Sequence, residues 1–431
     1  MLEQPAFGQR LRAMRVKRGL SQADLVGDAL SPGYLSRLES GSRRPTTRVV
    51  AHLAQRLGVS VSEFESAEDH GSGRTQASAL SQVLAAVVSA TDGEDLADTL
   101  AEALRAEGRL DPVLRWQALW LLARMYGTHG RHEEARPLLA ELVTLSDELG
   151  TPVLQVRSRT QLSRCLRDLG DNARAREYAS EAYRSTADLS VVDRAATMQV
   201  LVSTEAEMGF LAEARVHADE LCALAAPVGG TLLVEALWSS ATVRMRQGDH
   251  VGAQQALEQA LLRLDSRDDL ILWIRLRLAA ASLYLQANPS MTEQARARLD
   301  EVSPLLDVIG TELHKQQLLT LRAHLAFEEH RIDEARALCA GIDQQTLLLS
   351  FRDHIRFRAL CGRLMIIDGD RDGGISLLHE LAQQAQDALN VELAAEIWRA
   401  LAETLAEDHD RRPVRRSRHR DEPSAAQLQR R

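Results

Sequence analysis

A short polar helix near the amino terminus carries the side chains best suited to binding chemistry. If this helix begins after Ser31 and ends before Gly41, Leu35 and Leu38 share its inner face. The opposite face then presents Gly33, Tyr34, Ser36 and Arg37. Hydroxyl and guanidinium groups on an exposed helix donate hydrogen bonds to base edges and phosphates. This face is therefore a candidate DNA-binding surface.

Start and stop signals define the elements that position this surface. Ser21 suits the N-cap of a preceding short helix that should end near Ala29, and Pro32 suits the first position of the polar helix because a missing N–H costs nothing there. A supporting helix comes earlier, and a later one runs from Thr46 to Gly58 before a short turn. The apolar residues of these helices should form one core, namely Phe7, Leu11, Met14, Val49, Val50, Leu53, Ala54 and Leu57.

The segments LSQADL, SPGYLSRLESG and SRRP resemble the helix-turn-helix of the phage-repressor family, also called the xenobiotic-response-element class. The resemblance covers roughly residues 6 to 65 and implies a five-helix domain whose third helix enters the major groove. It also implies that Glu39 accepts a hydrogen bond inside the domain. The turn before Pro32 departs from the family pattern, because it contains no Gly and is one residue shorter, and the register of the reading helix stays open.

The same resemblance assigns DNA contacts residue by residue. Gln22 would bind a phosphate, and the residues after the third helix would lie beside the DNA backbone. Phosphate contacts supply affinity, whereas base contacts supply sequence choice. The implied contacts are Gln22, Ser31, Pro32, Gly33, Tyr34, Ser36 and Arg37, followed by Ser42, Arg43 and Arg44.

Charge is distributed unevenly along the 431-residue chain, whose formal net charge is −9. Residues 1–66 hold ten Lys or Arg against six Asp or Glu, and residues 409–431 hold eight against three, so residues 67–408 carry a charge of −18. A strongly acidic body is repelled by phosphate. Double-stranded DNA should therefore bind the small amino-terminal domain and not the body.

Composition predicts an almost entirely α-helical, cytoplasmic protein with more than one domain. Aromatic residues make up only 4% of the chain, while Ala, Leu, Arg and Glu dominate, which favours helices that pack closely on small residues. No apolar run approaches the ~20 residues of a membrane span, and the amino terminus lacks a signal core. The four cysteines lack the paired spacing of a zinc site and should be buried free thiols, namely Cys165, Cys222, Cys339 and Cys361.

Catalytic signatures are missing from the sequence. We therefore expect a binding protein and not an enzyme, and we expect it to hold neither a cofactor nor a metal ion. The chain has no Gly-rich phosphate loop, no His-Glu-x-x-His zinc motif and no Gly-x-Ser-x-Gly nucleophile turn. Its thirteen histidines are scattered singly. His379 with Glu380 lies on an ordinary amphipathic pattern without a second His four residues later.

A short phrase recurs through the body of the chain. GRHEEARPLL begins at Gly130, GDNARAREYA at Gly170, GFLAEARVHA at Gly209 and GDHVGAQQAL at Gly248. A period near forty residues indicates an α-solenoid of antiparallel helix pairs, which bury their faces only by stacking pair on pair. The small residue after each turn recurs at steps of 39 to 42, at Ala135, Ala175, Ala214, Ala253, Ala295, Ala335 and Gly374.

These repeats resemble the tetratricopeptide-repeat family in a longer form of about forty residues. The resemblance depends on the period and on alanines such as Ala123 and Ala135. It implies that the first helix of each pair lines a concave surface. A weaker unit around Gly93 precedes the array, and an incomplete unit from Leu393 to Leu405 caps its far end.

Several arginines and two tryptophans fall on the concave helices, where they suit a carboxylate-bearing ligand or peptide through charge-assisted hydrogen bonds and stacking. The alternative is that the tryptophans pack in the core and that the arginines pair with neighbouring acids on solvated faces. The candidate effector residues are Trp120, Arg124, Arg157, Arg164, Gln199, Trp238 and Arg275. Also placed on this surface are Gln117, Thr160, Ser203, Glu235, Thr242, Ser282, Thr320, His324, Arg356 and Arg363.

The patterns divide the chain into a helix-turn-helix domain (1–66), a polar Gly/Ser-containing linker (67–78), an α-solenoid (79–408) and a basic disordered tail (409–431). The tail either solubilises the protein or adds non-specific DNA attraction. The predicted function is sequence-specific transcription regulation by a homodimer, whose solenoid mediates dimerisation and senses a small ligand, a peptide or a protein. The alternative is an interaction adaptor, in which the solenoid binds a partner and the small domain is a docking module.

Overall fold

A computed structural model describes residues 4, 6–26, 30–61, 84, 94–106, 111–287, 289–344 and 346–411. These residues form helices joined by turns, with no strand among them, which confirms the predicted all-α fold. Packing divides the chain into two compact units. The first comprises Met1–Asp92 and Arg105–Leu110, and the second comprises Gly93–Leu104 and Asp111–Arg431.

Four helices are described in the first unit, and their boundaries follow the signals in the sequence. The third begins with Pro32 directly after its N-cap, Ser31, and the fourth ends at Gly58, whose φ of 64° is left-handed. Thr46 holds the predicted N-cap position of the fourth helix, but its side chain makes no capping hydrogen bond. The helices are α1 (Ala6–Lys17), α2 (Gln22–Val26), α3 (Pro32–Glu39) and α4 (Thr47–Leu57).

One apolar cluster holds the four helices together, as predicted. Phe7, Leu11, Leu35, Leu38 and Leu53 are all 0% exposed. Met14 and Val49 pack against this cluster at its margin. Full burial of such side chains contributes about 1.5–3 kcal/mol each. The orientation of α3 is therefore fixed by the two leucines on its inner face.

The second unit contains all but the last two residues of a single helix, α5 (Glu94–Ala106), and the helix pairs that follow it. The first helices of the pairs are α6 (Pro112–Thr128), α8 (Pro152–Asp168), α10 (Val191–Glu207), α12 (Gly230–Arg246), α14 (Leu270–Gln286), α16 (Glu312–Glu328) and α18 (Phe351–Ile367). The second helices are α7 (His132–Leu149), α9 (Asn172–Arg184), α11 (Leu211–Ala225), α13 (His250–Arg263), α15 (Thr292–Ile309), α17 (Ile332–Ala340) and α19 (Arg371–Asp387). The last described helix is α20 (Val391–Arg411).

The small residues counted along the sequence lie between paired helices. The six alanines are at most 1% exposed, and Gly374 is also buried. A Cβ on Gly374 would lie 2.5 Å from the carbonyl oxygen of Gly362 on the partner helix, so only glycine fits there. The predicted repeat and its close helix approach are thus confirmed.

A left-handed residue follows the first helix of six pairs and starts the turn into the second helix. Five of the six are glycines, and the sixth is His330, with φ of 59°. A histidine in this region costs more than a glycine, so this turn is held by its surroundings. The residues are Gly130, Gly170, Gly209, Gly248, His330 and Gly369.

The solenoid closes on itself, so that helices far apart in sequence make contact. Helix α8 packs against α18, and α10 packs against α20. A Cβ on Gly170 would lie 2.7 Å from Cγ of Phe351. The side-chain amide of Asn172 donates a hydrogen bond to the carbonyl oxygen of Ala388 at 2.8 Å. We call this junction between α8–α10 and α18–α20 the seam.

Several predictions concern residues outside the described ranges. These are the end of the predicted α2 at Ala29, the fifth short turn near Phe64, the linker 67–78, the start of the weak unit at Gly93, and residues 412–431. One boundary needs correction. Helix α20 continues to Arg411, three residues past the predicted end at 408, because the first helix-breaking residue there is Pro413.

Candidate DNA-binding surface and effector site

The amino-terminal turn of α3 is fixed by its cap. Oγ of Ser31 accepts a hydrogen bond from the backbone N–H of Tyr34 at 3.3 Å, and Pro32 opens the helix without an unsatisfied donor. Ser40 ends the helix, and Gly41 follows with φ of 78°. The start and stop predicted for this helix are confirmed.

The outer face of α3 is open, as predicted. Gly33, Ser36 and Arg37 are exposed, and no heavy atom lies within 4 Å of a Cβ built on Gly33. Nε of Arg37 donates to the carbonyl oxygen of Gly33 at 3.0 Å, so the guanidinium lies back along the helix toward its amino-terminal end. Tyr34, predicted on the same outer face, is instead half-buried, because its ring packs against the core.

The segment after α3 continues the same polar region. Ser42, Arg43 and Arg44 are exposed. The guanidinium carbon of Arg43 lies 4.9 Å from the centre of the Tyr34 ring, within the range of a cation–π contact. The backbone N–H of Arg43 donates to the carbonyl oxygen of Arg37 at 3.2 Å. These contacts keep the cationic side chains of Arg37 and Arg43 on one small surface.

A buried ion pair supports this surface from inside. Nε of Arg15 lies 2.7 Å from Oε1 of Glu39, which is 8% exposed. Burial raises the pKa of Glu39, but the bonds from Arg15 and Gln22 outweigh it, so its pKa lies below the ordinary value. The structural role predicted for Glu39 is confirmed.

Gln22 is bonded to the domain itself in this structure. Its Nε2 donates to Oε2 of Glu39 at 2.7 Å. A phosphate contact requires this side chain to exchange its Glu39 bond or to use its second amide hydrogen. The phosphate role of Gln22 therefore stays a prediction, as do the other assigned DNA contacts.

Two of the predicted effector residues are bonded within the solenoid. Nε of Arg157 donates to Oδ1 of Asp193 at 2.7 Å, and Nε2 of Gln199 donates to Oε2 of Glu235 at 3.1 Å. Thr160, also placed on the concave surface, is buried and bonds Thr197. These contacts favour the alternative interpretation, in which the side chains pair with one another inside the solenoid and are not free to bind an effector.

The two tryptophans differ in their surroundings. Trp120 stacks on the buried Trp116, with ring centres 5.1 Å apart and planes 15° apart. Trp238 is half-buried, and the guanidinium of Arg275 lies 5.6 Å from its ring centre. Trp120 thus stacks on a residue one turn earlier in its own helix, α6, whereas Trp238 borders a charged side chain.

The remaining arginines predicted to bind the effector have fewer partners within the protein. Arg124 and Arg275 are exposed, and Arg164 is half-buried. Nη1 of Arg164 donates to Oε1 of Gln161 at 3.3 Å. Burial, followed by the charges of Arg167 and Arg275, lowers the pKa of Arg164 to about 10. A lowered arginine pKa marks a cation that its surroundings stabilise poorly.

Sequence reasoning missed the polar centre of the seam. Glu207 accepts hydrogen bonds from Arg246 at 2.6 Å, from Arg352 at 2.9 Å and from the amide of Asn390. Burial raises the pKa of Glu207, but the two guanidinium groups hold it far below the ordinary value. Nη2 of Arg352 also lies 3.4 Å from Oε2 of Glu392. No periodicity indicates these contacts, because Arg352 and Asn390 are 145 and 183 residues from Glu207.

The seam also borders a partly open polar cavity of about 180 Å³. Its lining side chains already bond one another: Arg167 to Asp168 at 2.6 Å, and Arg352 to Glu207 at 2.9 Å. Such a lining belongs to the closure of the solenoid, but Oδ1 of Asn172, which also lines the cavity, is buried without a hydrogen-bond partner.

The cysteines are free, as predicted, but only Cys165 and Cys339 are buried, whereas Cys222 and Cys361 are half-buried. Two of the four are also neighbours. Cys339 on α17 and Cys361 on α18 belong to one apolar cluster and hydrogen-bond each other. That contact lowers the pKa of Cys361 and raises that of Cys339.

Among the described residues, no group of three or more His, Cys, Asp or Glu side chains is arranged to hold a metal ion. Likewise, none of the described helices is long and apolar enough to cross a membrane.

Comparison with known proteins finds relatives for the amino-terminal helices and for the helical repeats. Residues 6–67 match the family described as "Helix-turn-helix domain". No curated protein sequence matches the chain. The chain is similar to a Rap protein solved in complex with competence and sporulation factor, at 11% identity over 94% of this chain and 100% of that one, with a TM-score of 0.53.

Two further solved structures are similar. The Rap conjugation gene regulator of plasmid pLS20, solved with the Phr* peptide, matches at 12% identity over 92% of this chain and 98% of that one, with a TM-score of 0.50. PlcR of Bacillus thuringiensis, solved with the peptide PapR7 and DNA, matches at 14% identity over 73% and 98%, with a TM-score of 0.39. The chain therefore carries a helix-turn-helix domain followed by a helical-repeat domain with the fold of the Rap proteins.

Proposed function

We propose that this protein is a sequence-specific, DNA-binding transcription regulator of the xenobiotic-response-element class. The observation that carries the proposal is the outer face of α3, where Gly33, Ser36 and Arg37 are exposed while Leu35 and Leu38 are fully buried. A capped helix with an anchored inner face presents such side chains to a major groove in a fixed orientation. The helix-turn-helix match over residues 6–67 supports the same assignment.

The division of labour follows the charge of the chain. Residues 1–66 carry a net charge of +4 and the solenoid is acidic, so DNA binds the amino-terminal domain. We place the linker at residues 67–78, which allows the domain to orient on its site. The basic tail that follows the solenoid either solubilises the protein or adds an attraction to DNA that is independent of sequence.

A homodimer is part of the proposal. One small helix-turn-helix domain makes few contacts, and two domains on half-sites one helical turn apart bind far more tightly because the second contact is intramolecular. The solenoid is the proposed dimer interface, since the described apolar residues of α1–α4 are mostly consumed by their own core.

The solenoid is proposed to bind an effector on its concave surface. The effector is a small ligand, a peptide or a protein, and it acts by favouring one arrangement of the two α3 helices over another. The two Rap structures with the same fold were solved with a factor and with a peptide, which is one of these classes. At 11–12% identity the likeness concerns the fold, so the effector assignment depends on the side chains described above.

The test is recovery of discrete fragments from sheared genomic DNA of the source organism by full-length protein. We expect Arg37→Ala combined with Arg43→Ala to abolish enrichment of specific fragments. The matched control is Arg263→Ala with Arg267→Ala, which removes the same charge from exposed positions on the solenoid. If the Arg37→Ala, Arg43→Ala variant enriches specific DNA fragments as strongly as wild-type protein does, the assigned DNA-binding surface is wrong.

A second candidate function is an interaction adaptor, in which the small domain docks on a protein. The bond between Gln22 and Glu39 favours it to a limited degree, because this side chain is occupied without DNA. Under the adaptor hypothesis, neither arginine pair changes DNA recovery, and both leave partner binding by the solenoid intact.

A further inference from the structure

The cavity at the seam is lined by charged side chains from early and late helices of the solenoid. Its volume of about 180 Å³ is room for more than a single water molecule. Three carboxylates line it, those of Asp168, Glu207 and Asp353, together with the guanidinium groups of Arg167 and Arg352. The lining therefore carries one more negative than positive charge.

The cationic donors of the lining are used within the protein. Nε and Nη2 of Arg167 donate to Oδ1 of Asp168 at 3.0 and 2.6 Å, and its Nη1 donates to Oγ of Ser203 at 2.8 Å. Nη1 of Arg352 donates to Oε2 of Glu207 at 2.9 Å. An anionic ligand would have to displace these internal acceptors.

An acceptor, in contrast, is left without a partner. Asn172 lines the cavity and is 2% exposed. Its Nδ2 donates to the carbonyl oxygen of Ala388, which can only accept, so the orientation of the amide group is fixed. Its Oδ1 is consequently buried without a hydrogen bond. Such an atom costs free energy unless a donor reaches it, and a ligand in the cavity can supply that donor.

Asp168 also keeps acceptor capacity on the side away from Arg167. Both bonds from Arg167 end on Oδ1. Nε2 of His132 lies 4.0 Å from Oδ2, which is beyond hydrogen-bonding distance. A donor in the cavity can therefore bind Oδ2 without breaking the existing ion pair.

Asp353 lacks the cation that a matching residue elsewhere possesses. Ser350 donates to Oδ2 of Asp353 at 2.8 Å, just as Ser190 donates to Oδ2 of Asp193 at 2.7 Å. Arg157 completes the second site by donating to Oδ1 of Asp193 at 2.7 Å. Over the part of the chain that the structure describes, no Lys, Arg or His nitrogen lies within 4 Å of the Asp353 carboxylate. Burial accordingly raises the pKa of Asp353, whereas at Asp193 the bonds from Arg157 and Ser190 outweigh burial.

We propose that the seam cavity binds a primary ammonium group, which donates to Oδ1 of Asn172 and to the carboxylates of Asp168 and Asp353. Three acceptors match the three N–H donors of such a group, and its charge balances the additional carboxylate of the lining. Phe351 lines the same cavity and offers an aromatic ring to the cation or to its alkyl chain.

A bound ammonium would join α8 and α9 to α18 and so stabilise the closed solenoid. The residues that hold it all belong to the helical-repeat unit. The site does not depend on the proposed DNA-binding function.

The first test compares two monovalent cations on full-length protein. n-Propylammonium chloride supplies the three donors, whereas tetramethylammonium chloride carries the same charge without an N–H bond. At ten times its Kd, n-propylammonium should raise the Tm by roughly 2–4 °C more than tetramethylammonium at equal concentration. General salt effects are common to both and cancel in the difference. Equal shifts with the two salts overturn the proposal.

The second test locates the site with isosteric variants. Asp353→Asn and Asp168→Asn each keep an oxygen for the internal donor but replace the other oxygen with an amide group. Each should raise the apparent Kd for n-propylammonium, measured from the concentration dependence of the Tm, by about tenfold or more. Either variant decides the question, so poor folding of one leaves the test intact. An unchanged Kd in a folded variant overturns the site.

Asp193→Asn is the matched control, because Asp193 holds the same capped position on α10 but does not line the cavity. It should lower the Tm of the protein without ligand, since it breaks the pair with Arg157, and keep the n-propylammonium shift. A loss of that shift equal to the loss in Asp353→Asn also overturns the site.

Two further probes identify the source of the ammonium group. Putrescine represents a free aliphatic amine, and glycinamide represents the amino terminus of a peptide. The probe with the lower Kd identifies the source, and binding of either must be weakened by Asp353→Asn if the site is correct. These measurements are independent of DNA enrichment, so failure of the ammonium site and failure of the regulator proposal are distinguishable.

Discussion

The guanidinium group of Arg43 lies 4.9 Å from the ring centre of Tyr34, so the residue that follows the reading helix is held against a residue on that helix. Tyr34 in turn packs against the core of the domain. A flexible cation is thereby given a preferred position before DNA arrives, which reduces the entropy lost on binding.

This contact yields a prediction for two substitutions of Tyr34. Tyr34→Phe keeps the ring that holds Arg43 and removes only the hydroxyl group, whereas Tyr34→Ala also releases Arg43, so the difference between the two variants isolates the contribution of the ring. A cation–π contact contributes about 0.5–1 kcal/mol at exposed sites, so Tyr34→Ala should weaken binding by roughly 2–5-fold. Fluorescence anisotropy on a recovered fragment measures this. Equal affinities of the Phe and Ala variants are inconsistent with a role for the ring.

Gly33 separates folding from DNA binding. Because nothing lies within 4 Å of its Cβ position, Gly33→Ala should leave the domain intact and stabilise it by up to about 0.5–1 kcal/mol. Gly33→Leu also fits the free protein but fills space that DNA needs, and we expect affinity to fall by about tenfold or more. The Tm from thermal unfolding and the DNA affinity from fluorescence anisotropy should therefore change independently. Full DNA affinity in the leucine variant means that this position faces away from the groove.

Glu207 supplies the sharpest stability prediction for the seam. Glu207→Gln removes the buried carboxylate that Arg246 and Arg352 share and leaves them only longer contacts to Glu392 and Glu396, so it should cost up to about 3–5 kcal/mol at pH 7. Glu141→Gln is the control, because the Glu141 side chain is 41% exposed, against 12% for Glu207, and its pair with Arg115 contributes only about 0–1 kcal/mol. Urea unfolding of the full chain measures both. Equal costs in the two variants contradict the seam as described.

The same residue predicts a pH dependence with a defined sign. The folded-state pKa of Glu207 is lowered, so its contribution is fully present above the ordinary value of 4.5 and is lost as the pH falls toward the folded-state pKa. The stability difference between wild type and Glu207→Gln should therefore be constant above about pH 5.5 and shrink below pH 4.5. A difference that widens on acidification has the wrong sign.

The thiols should differ in reactivity. Burial raises the pKa of Cys165 to about 12, whereas the hydrogen bond from Cys339 lowers that of Cys361. Alkylation proceeds through the thiolate, so iodoacetamide at pH 7.5 should modify Cys361 before Cys165. Peptide mass spectrometry after short exposure gives the order. Modification of Cys165 first shows that the surroundings assigned to the two thiols are incorrect.

Local and periodic features could be predicted from the sequence. Ser31, Pro32 and Gly41 bracket α3 because capping chemistry is local. The buried alanines such as Ala175 and Ala214 follow from a forty-residue period, since each repeat must present a small residue at the same point of its helix pair.

Contacts between distant repeats could not be predicted in this way. Glu207 meets Arg352 and Asn390 only because the solenoid turns back on itself, and that curvature depends on small rotations summed over several repeats. For the same reason, the sequence placed Arg157 and Arg164 on one surface but could not tell which of them has a carboxylate partner.

The most direct test of the central claim is selection of bound duplexes from a random DNA pool by full-length protein at two salt concentrations. Sequence-specific binding by a dimer predicts a palindromic motif with half-sites about one helical turn apart, which persists at the higher salt and disappears in the Arg37→Ala, Arg43→Ala variant. Recovery of unrelated sequences that all dissociate at the higher salt contradicts a sequence-specific regulator.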